Sequence, residues 1–322
     1  MLVPRAVRRS VPLLTLLTLT LVVPTTGAAA ALRGAGAVAG GVAGDPSPGS
    51  SDRLTERPIG TTSSPLGYLE YLPPGYGTRG RQRGGERSPL LVFLHGYGES
   101  GAGTAEELPQ LTYTGITQLI AEDRWPATRP FVVLAPQNPW ETDDSIYADC
   151  LSSRPRFLGS CLMWAQHNAD HPPDAAYCFT PDEVHAFIDF AVRHYQVDPR
   201  RIYVTGLSCG GFAAWEYASE HPQEVAAFVP IAGEGRPAWD TAGCRLAAVP
   251  VWAFHGLLDD NVDPRGSEGP VGQLRHCPGS TPLHTRLTLY PTADHDQHEP
   301  WTQTYDLSAG HDIYRWMLRF HT

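Results

Sequence analysis

Around Ser208 the chain reads as an apolar β-type run, Ile202-Tyr203-Val204, then Gly206-Leu207-Ser208-Cys209-Gly210-Gly211, then an apolar helical stretch. Glycines flanking a serine between a strand and a helix let the backbone pass through a tight, strained turn. They leave the hydroxyl exposed at the helix N-terminus. The bland alternative is a tight strand-to-helix turn whose serine is incidental. The surrounding segments alternate in the same way. Residues 90–94, 131–134, 202–204 and 251–254 are short apolar runs rich in β-branched and aromatic residues, and 226–231 and 287–290 add two more. Such runs suit strands buried on both faces. Helical patterns cover 183–195, with Val184, Phe187, Ile188 and Val192 on one side, as well as 212–220 and 313–320. The alternation predicts an α/β fold: a mostly parallel central sheet flanked by helices, with active residues at the strand ends. Residues 139–177 break the rhythm, being rich in Pro and aromatics with two cysteines and a third just after them at Cys178, and read as an inserted Cys-containing loop over the site.

Residues 1–31 have the layout of a secretory signal peptide. Arg5, Arg8 and Arg9 precede an uncharged run at 11–23, and small residues follow with cleavage expected near Ala30 or Ala31. The run is shorter than the ~20 residues of a spanning helix, and Pro12 and Pro24 bracket it. Arg8-Arg9 fits a twin-arginine signal poorly beyond the pair itself, and the cleavage site lacks the cysteine that a lipoprotein would need, so a lipoprotein is not expected. The expectation is a secreted protein with no membrane attachment in its mature form. Residues 32–64, almost devoid of large apolar side chains, read as a flexible Gly/Ala/Pro/Ser leader. Residues 65–322 remain for one catalytic domain. A chain that is 10% aromatic carries too much apolar surface for disorder throughout. All 24 basic residues are Arg, and the formal charge of −10, −13 once the three arginines of the signal leave, argues against a nucleic-acid partner.

Export gives the six cysteines meaning, because disulfides persist outside the cell. Cys244 and Cys277 are the best pair, with a second bridge expected among Cys150, Cys161 and Cys178. Cys209, at the start of an apolar helix, reads as a buried small hydrophobe.

A serine hydroxyl becomes a nucleophile when a histidine takes its proton and an acid orients that histidine. In a strand-elbow-helix setting the acid and then the histidine follow the serine in the chain. Asp259, after the run 251–254, is the first choice of acid, with Asp260 the runner-up and Asp263 a turn residue before Pro264. The histidine should follow the last strand, in Tyr290-Pro291-Thr292-Ala293-Asp294-His295-Asp296-Gln297-His298.

Several stretches together resemble the secreted esterase branch of the α/β-hydrolases that includes polyhydroxybutyrate-depolymerase-like and feruloyl-esterase-like carboxylesterases. They are Tyr68-Leu69-Glu70-Tyr71-Leu72-Pro73-Pro74-Gly75-Tyr76, Phe93-Leu94-His95-Gly96-Tyr97-Gly98-Glu99-Ser100-Gly101, Asp198-Pro199-Arg200-Arg201-Ile202-Tyr203, the serine turn, Val251-Trp252-Ala253-Phe254-His255-Gly256 and Gly310-His311-Asp312-Ile313-Tyr314. The resemblance implies an α/β-hydrolase fold with Ser208 as nucleophile and Asp259 as acid. It also implies an oxyanion hole made by the backbone N–H groups of Tyr97 and Cys209, with His95 shaping the loop. For the base, relatives tend to carry His-Asp, one residue, then Trp, whereas here His295-Asp296 and Trp301 stand three residues further apart. Counting from Tyr290-Pro291 selects His295, which also has the matching Asp296. Counting back from Trp301 selects His298, the alternative.

His295, Asp296 and His298 lack further ligands at useful spacing, so no metal and no cofactor is expected. Trp140, Trp164 and Trp301 are candidates for walls of a substrate pocket, with plain loop packing the competing reading for each; Trp215 and His311 read as core and helix-start residues. The leading function is a secreted serine carboxylic-ester hydrolase acting through a Ser-His-Asp triad and an acyl-enzyme. Its substrates would be small-molecule or polymer-linked esters: plant-polysaccharide, polyester or short-chain acyl. The rivals are a serine peptidase of prolyl-oligopeptidase type, whose propeller this chain is too short to hold, and an exported, catalytically silent binding module on the same fold.

Overall fold

In the apolar runs, alternate side chains point to opposite faces, so a continuous hydrophobic stretch needs cover on both sides. The computed structural model describes residues 53–77, 87–139, 178–291 and 298–322, all within one unit, Ser47–Thr322. It shows the sheet that this pattern demands. Eight strands, β1 (Thr55–Arg57), β2 (Tyr68–Tyr71), β3 (Ser88–Leu94), β4 (Val132–Pro136), β5 (Val197–Leu207), β6 (Ala227–Ile231), β7 (Val251–Gly256) and β8 (Thr285–Tyr290), lie in the order β1-β2-β4-β3-β5-β6-β7-β8. β2 pairs antiparallel with β1 and β4, and the pairs among β3 through β8 are all parallel.

Among the described residues the helices are α1 (Gly115–Ala121), α2 (Pro181–His194), α3 (Cys209–Glu220), α4 (Arg236–Ala242), α5 (Arg265–Leu274), α6 (Trp301–Tyr305) and α7 (Ile313–Met317). One core joins Leu90, Val92, Val132, Ile202, Val204, Phe228 and Val251 to Phe187 of α2 and Trp215 of α3. The alternate residues Leu91, Phe93, Val133, Tyr203, Val229 and Phe254 pack on the other face with Ile116 of α1 and Trp316 of α7. Trp215 is fully buried, as expected. α2 starts with a capping box in which Thr180 Oγ1 accepts from the Glu183 N–H and the Glu183 carboxylate accepts from the Thr180 N–H.

Two expectations change. β1 lies inside the segment read as leader. Thr55-Glu56-Arg57 carries no apolar signal because it is an edge strand, held by its register on Tyr68–Glu70 and by Arg57 Nη2 bonding Glu70 Oε1 at 2.9 Å. That pair, with a hydrogen bond from Tyr195, satisfies the buried Glu70. The second change concerns Cys209. It is not a lone thiol but is bonded to Cys178, because the start of α3 and the approach to α2 meet with Cα atoms 5.0 Å apart. Cys150 and Cys161 lie outside the described residues. The expected Cys244–Cys277 bridge is present. Of the insertion read at 139–177, residues 140–177, with Trp140 and Trp164, also lie outside the described residues.

Candidate active site

Parallel strands align their C-terminal ends, and the loops leaving those ends gather on one edge of the sheet. β5 leads into Ser208, which caps α3 with φ 50° and ψ −117°, a conformation that residues other than glycine seldom adopt. The turn survives because its neighbours permit no other path. A Cβ on Gly206 would come within 2.2 Å of the Gly210 carbonyl oxygen, and one on Gly210 within 2.0 Å of the Leu94 oxygen. Backbone therefore packs on backbone, and the Ser208 N–H is fixed to the Ile231 carbonyl at 2.9 Å.

β7 ends in Gly256 and delivers Asp259, which is buried, whereas Asp260 is exposed. Asp259 Oδ1 accepts from the N–H groups of Asn261 (3.0 Å) and Val262 (2.9 Å). Asp263 holds the turn that follows by accepting from the Arg265 N–H. β8 leads to His298. Its Nδ1 lies 2.8 Å from Asp259 Oδ2 and its Nε2 2.9 Å from Ser208 Oγ. In the tautomer with the proton on Nδ1, the imidazole donates to the carboxylate and accepts from the serine hydroxyl. The Trp301 ring stands edge-on to His298, centroids 5.3 Å apart, so this tryptophan packs on the imidazole.

His295, the first choice on sequence, lies outside the described residues together with Asp296. The imidazole that meets both Ser208 and Asp259 is that of the alternative, His298. Counting from Tyr290 failed to select it because the extra residues fall ahead of the histidine; counting back from Trp301 finds it.

Burial alone would push the Asp259 carboxyl up. Hydrogen bonds from His255 and His298, with the Val262 N–H, outweigh it and hold the group at about 2. His255 is a contributor that the sequence reading quoted without a role. It is fully buried, its Nδ1 2.8 Å from Ser267 Oγ and its Nε2 3.0 Å from the Val262 carbonyl oxygen and 3.3 Å from Asp259 Oδ2. Donating from Nε2, it braces the same carboxylate oxygen that His298 meets. Only its position, four residues before the acid, could have signalled this.

The proposed oxyanion donors sit on neighbouring strands. The register Leu94↔Gly206 sets the loop after β3 beside the serine turn. Cys209 is the first residue of α3 and so has an N–H with no intrahelical acceptor, and Tyr97 opens a 3₁₀ turn, Tyr97–Glu99. His95 Nε2 accepts from the Asn138 N–H (2.8 Å), which places its proton on Nδ1, donating to the Gly96 carbonyl (2.6 Å). Burial lowers this imidazole to about 4, so His95 is a neutral strut between the ends of β3 and β4.

Residues 177–321, which include Ser208, Asp259 and His298, match the model of the Dienelactone hydrolase family. A bifunctional acetylxylan esterase/xylanase of Neocallimastix patriciarum is 30% identical over 114 residues, 34% of this chain and 16% of that protein. A thermostable esterase of known structure superposes with a TM-score of 0.56 at 24% identity, covering 85% of this chain and 64% of that one. The acylaminoacyl peptidase of Pyrococcus horikoshii gives 0.50 at 12% identity, with 83% and 42% covered. The chain thus spans only a part of these relatives' length. Sheet order, elbow and matched family agree on architecture: the chain has the α/β-hydrolase fold.

Proposed function

We propose that the chain is an exported serine carboxylic-ester hydrolase with Ser208 as nucleophile, His298 as general base and Asp259 as the acid that orients it. The pair of hydrogen bonds from Ser208 through His298 to Asp259 carries this reading. As Ser208 Oγ attacks the ester carbonyl carbon, its proton passes to His298 Nε2, and Asp259 stabilises the imidazolium that results. The carbonyl oxygen becomes an oxyanion that the N–H groups of Cys209 and Tyr97 would receive. Collapse breaks the bond to the alcohol, whose oxygen takes the proton from His298 and leaves an acyl group on Ser208. Water then attacks the acyl carbon as His298 takes its proton, the bond from that carbon to Ser208 Oγ breaks, and Oγ recovers the proton from His298 as the acid leaves.

The signal-like segment at 1–31 and the cysteine usage support export. Among the described residues no helix is long and apolar enough to cross a membrane. The stretches resembling polyhydroxybutyrate-depolymerase-like and feruloyl-esterase-like enzymes support placement in that branch. Among the ester classes considered, the likeness to a protein named as an acetylxylan esterase favours O-acetyl groups on plant polysaccharide.

A fluorophosphonate probe should label the protein and spare Ser208→Ala. p-Nitrophenyl acetate should be cleaved and p-nitroanilides should not, and acetylated xylan should release acetate. Absence of labelling on folded protein would point to a silent binding module, and preference for anilides to a peptidase.

A further inference from the structure

Away from the serine, the far end of α3 holds a second cluster of polar side chains. His185 of α2, His221 that caps α3, and Glu224 each present a ligand atom, and these atoms lie within 4.8 Å of one another. His185 Nδ1 is 3.2 Å from Glu224 Oε2 and His221 Nδ1 is 3.4 Å from Oε1. The Tyr217 hydroxyl donates to Oε2 at 2.7 Å and keeps the carboxylate aimed at the two rings. The rings themselves are stacked, centroids 4.4 Å apart and planes 10° from parallel. All three residues are half-buried.

We propose that His185, His221 and Glu224 form a binding site for a divalent transition-metal ion of zinc type. Ligand atoms at about 2.0–2.2 Å from a tetrahedral centre stand roughly 3.3–3.6 Å from one another. The two nitrogen-to-oxygen spacings, 3.2 and 3.4 Å, lie in or just under that range, and an ion requires the stacked rings to splay until both in-plane Nδ1 lone pairs converge on it. Two imidazoles stacked this closely repel if both carry a proton charge. One shared cation balances Glu224 without that repulsion, each ring turning its Nδ1 lone pair to the metal and carrying its proton on Nε2. Two imidazoles and one carboxylate suit Zn²⁺, with water completing the shell. The ion would link α2 to the end of α3, just as Cys178–Cys209 links the approach to α2 with the start of α3. Thirteen residues of helix rise separate His221 from Ser208, about 20 Å, so the site braces the scaffold and takes no part in ester chemistry.

The test uses the full chain, freed of metal with chelator and titrated with ZnCl2 in a calorimeter. One ion per chain is expected, with a matching rise in melting temperature. His185→Ala and Glu224→Gln should each weaken that binding tenfold or more. Absence of binding to folded wild-type protein, or binding in both variants as tight as in wild type, would overturn the site. Because a variant could misfold, wild-type protein supplies a second check. Zn²⁺ should protect His185 and His221 from carbethoxylation by diethyl pyrocarbonate, read peptide by peptide in a mass spectrometer, and equal modification with and without Zn²⁺ counts against the proposal.

Discussion

Cys209, the residue after Ser208, is covalently joined to Cys178, which lies two residues before the Thr180 cap of α2. The bond therefore fixes the first turn of α3, where the N–H proposed to receive the oxyanion is found. Cys244 and Cys277 are placed differently. They join the 3₁₀ turn Gly243–Ala248 to the chain after α5, ahead of β7 and β8 and so at the sheet edge opposite Ser208.

Removing the first bridge should therefore cost both stability and rate. Chain entropy for a closure of 31 residues gives about 3–4 kcal/mol. Cys178→Ser should lower the melting temperature and reduce kcat roughly tenfold through a looser oxyanion turn, with KM moved less. Full kcat in a folded Cys178→Ser variant would show that the bond is a staple alone.

The second bridge should show stability without rate. Cys244→Ser and Cys277→Ser remove the same link, so their melting temperatures should fall alike and the double variant should fall no further. Their kcat values at room temperature should match wild type. A non-reducing peptide map with both thiols free would remove the basis for this expectation.

Much of the architecture was legible because strands buried on both faces need continuous apolar sequence, as in 90–94 and 251–254. What escaped carries weak or competing signals. β1 is an edge strand of Thr, Glu and Arg, stabilised by pairing and by Arg57–Glu70, not by burial. α1 begins at Gly115, whose φ of 70° suits glycine and whose added Cβ would meet the Phe93 ring at 2.3 Å; a propensity reading sees only a poor helix former. Ser208 and Asp259 were readable because the elbow and the end of β7 are local features. The Cys178–Cys209 pairing was not, since pairing is decided by which segments meet in space. The histidine was readable only as a choice of two, because the extra residues could be counted on either side of it.

The Asp259 carboxyl predicts a pH effect with a definite sign. Its value in the folded chain, about 2, lies below the ordinary 3.8, so it contributes stability that is complete above about pH 4. That contribution, about 2 kcal/mol, is lost as pH falls toward 2. Asp259→Asn should therefore flatten the acid side of the stability profile, measured by urea unfolding between pH 5 and 2.5. It should also reduce kcat on the order of 10³-fold at pH 7, because an amide does not stabilise the imidazolium. An unchanged acid slope would mean that Asp259 is not held ionised by its neighbours.

The base decides the mechanism. One imidazole at a time can stand between Ser208 Oγ and Asp259 Oδ2, and His298 meets them at 2.9 and 2.8 Å. His298→Ala should therefore lose on the order of 10³-fold or more in kcat while keeping its fold. The edge of Trp301 rests on that ring, so Trp301→Ala should lose less, roughly tenfold, by letting the imidazole drift. His295→Ala should change the rate by about tenfold or less, acting through the loop alone. Members of the proposed triad would act as a unit, so Ser208→Ala combined with His298→Ala should be barely slower than either variant alone. If His295→Ala is instead the deeper loss, the base is His295, and the hydrogen bonds seen at His298 belong to a resting arrangement that the reaction does not use.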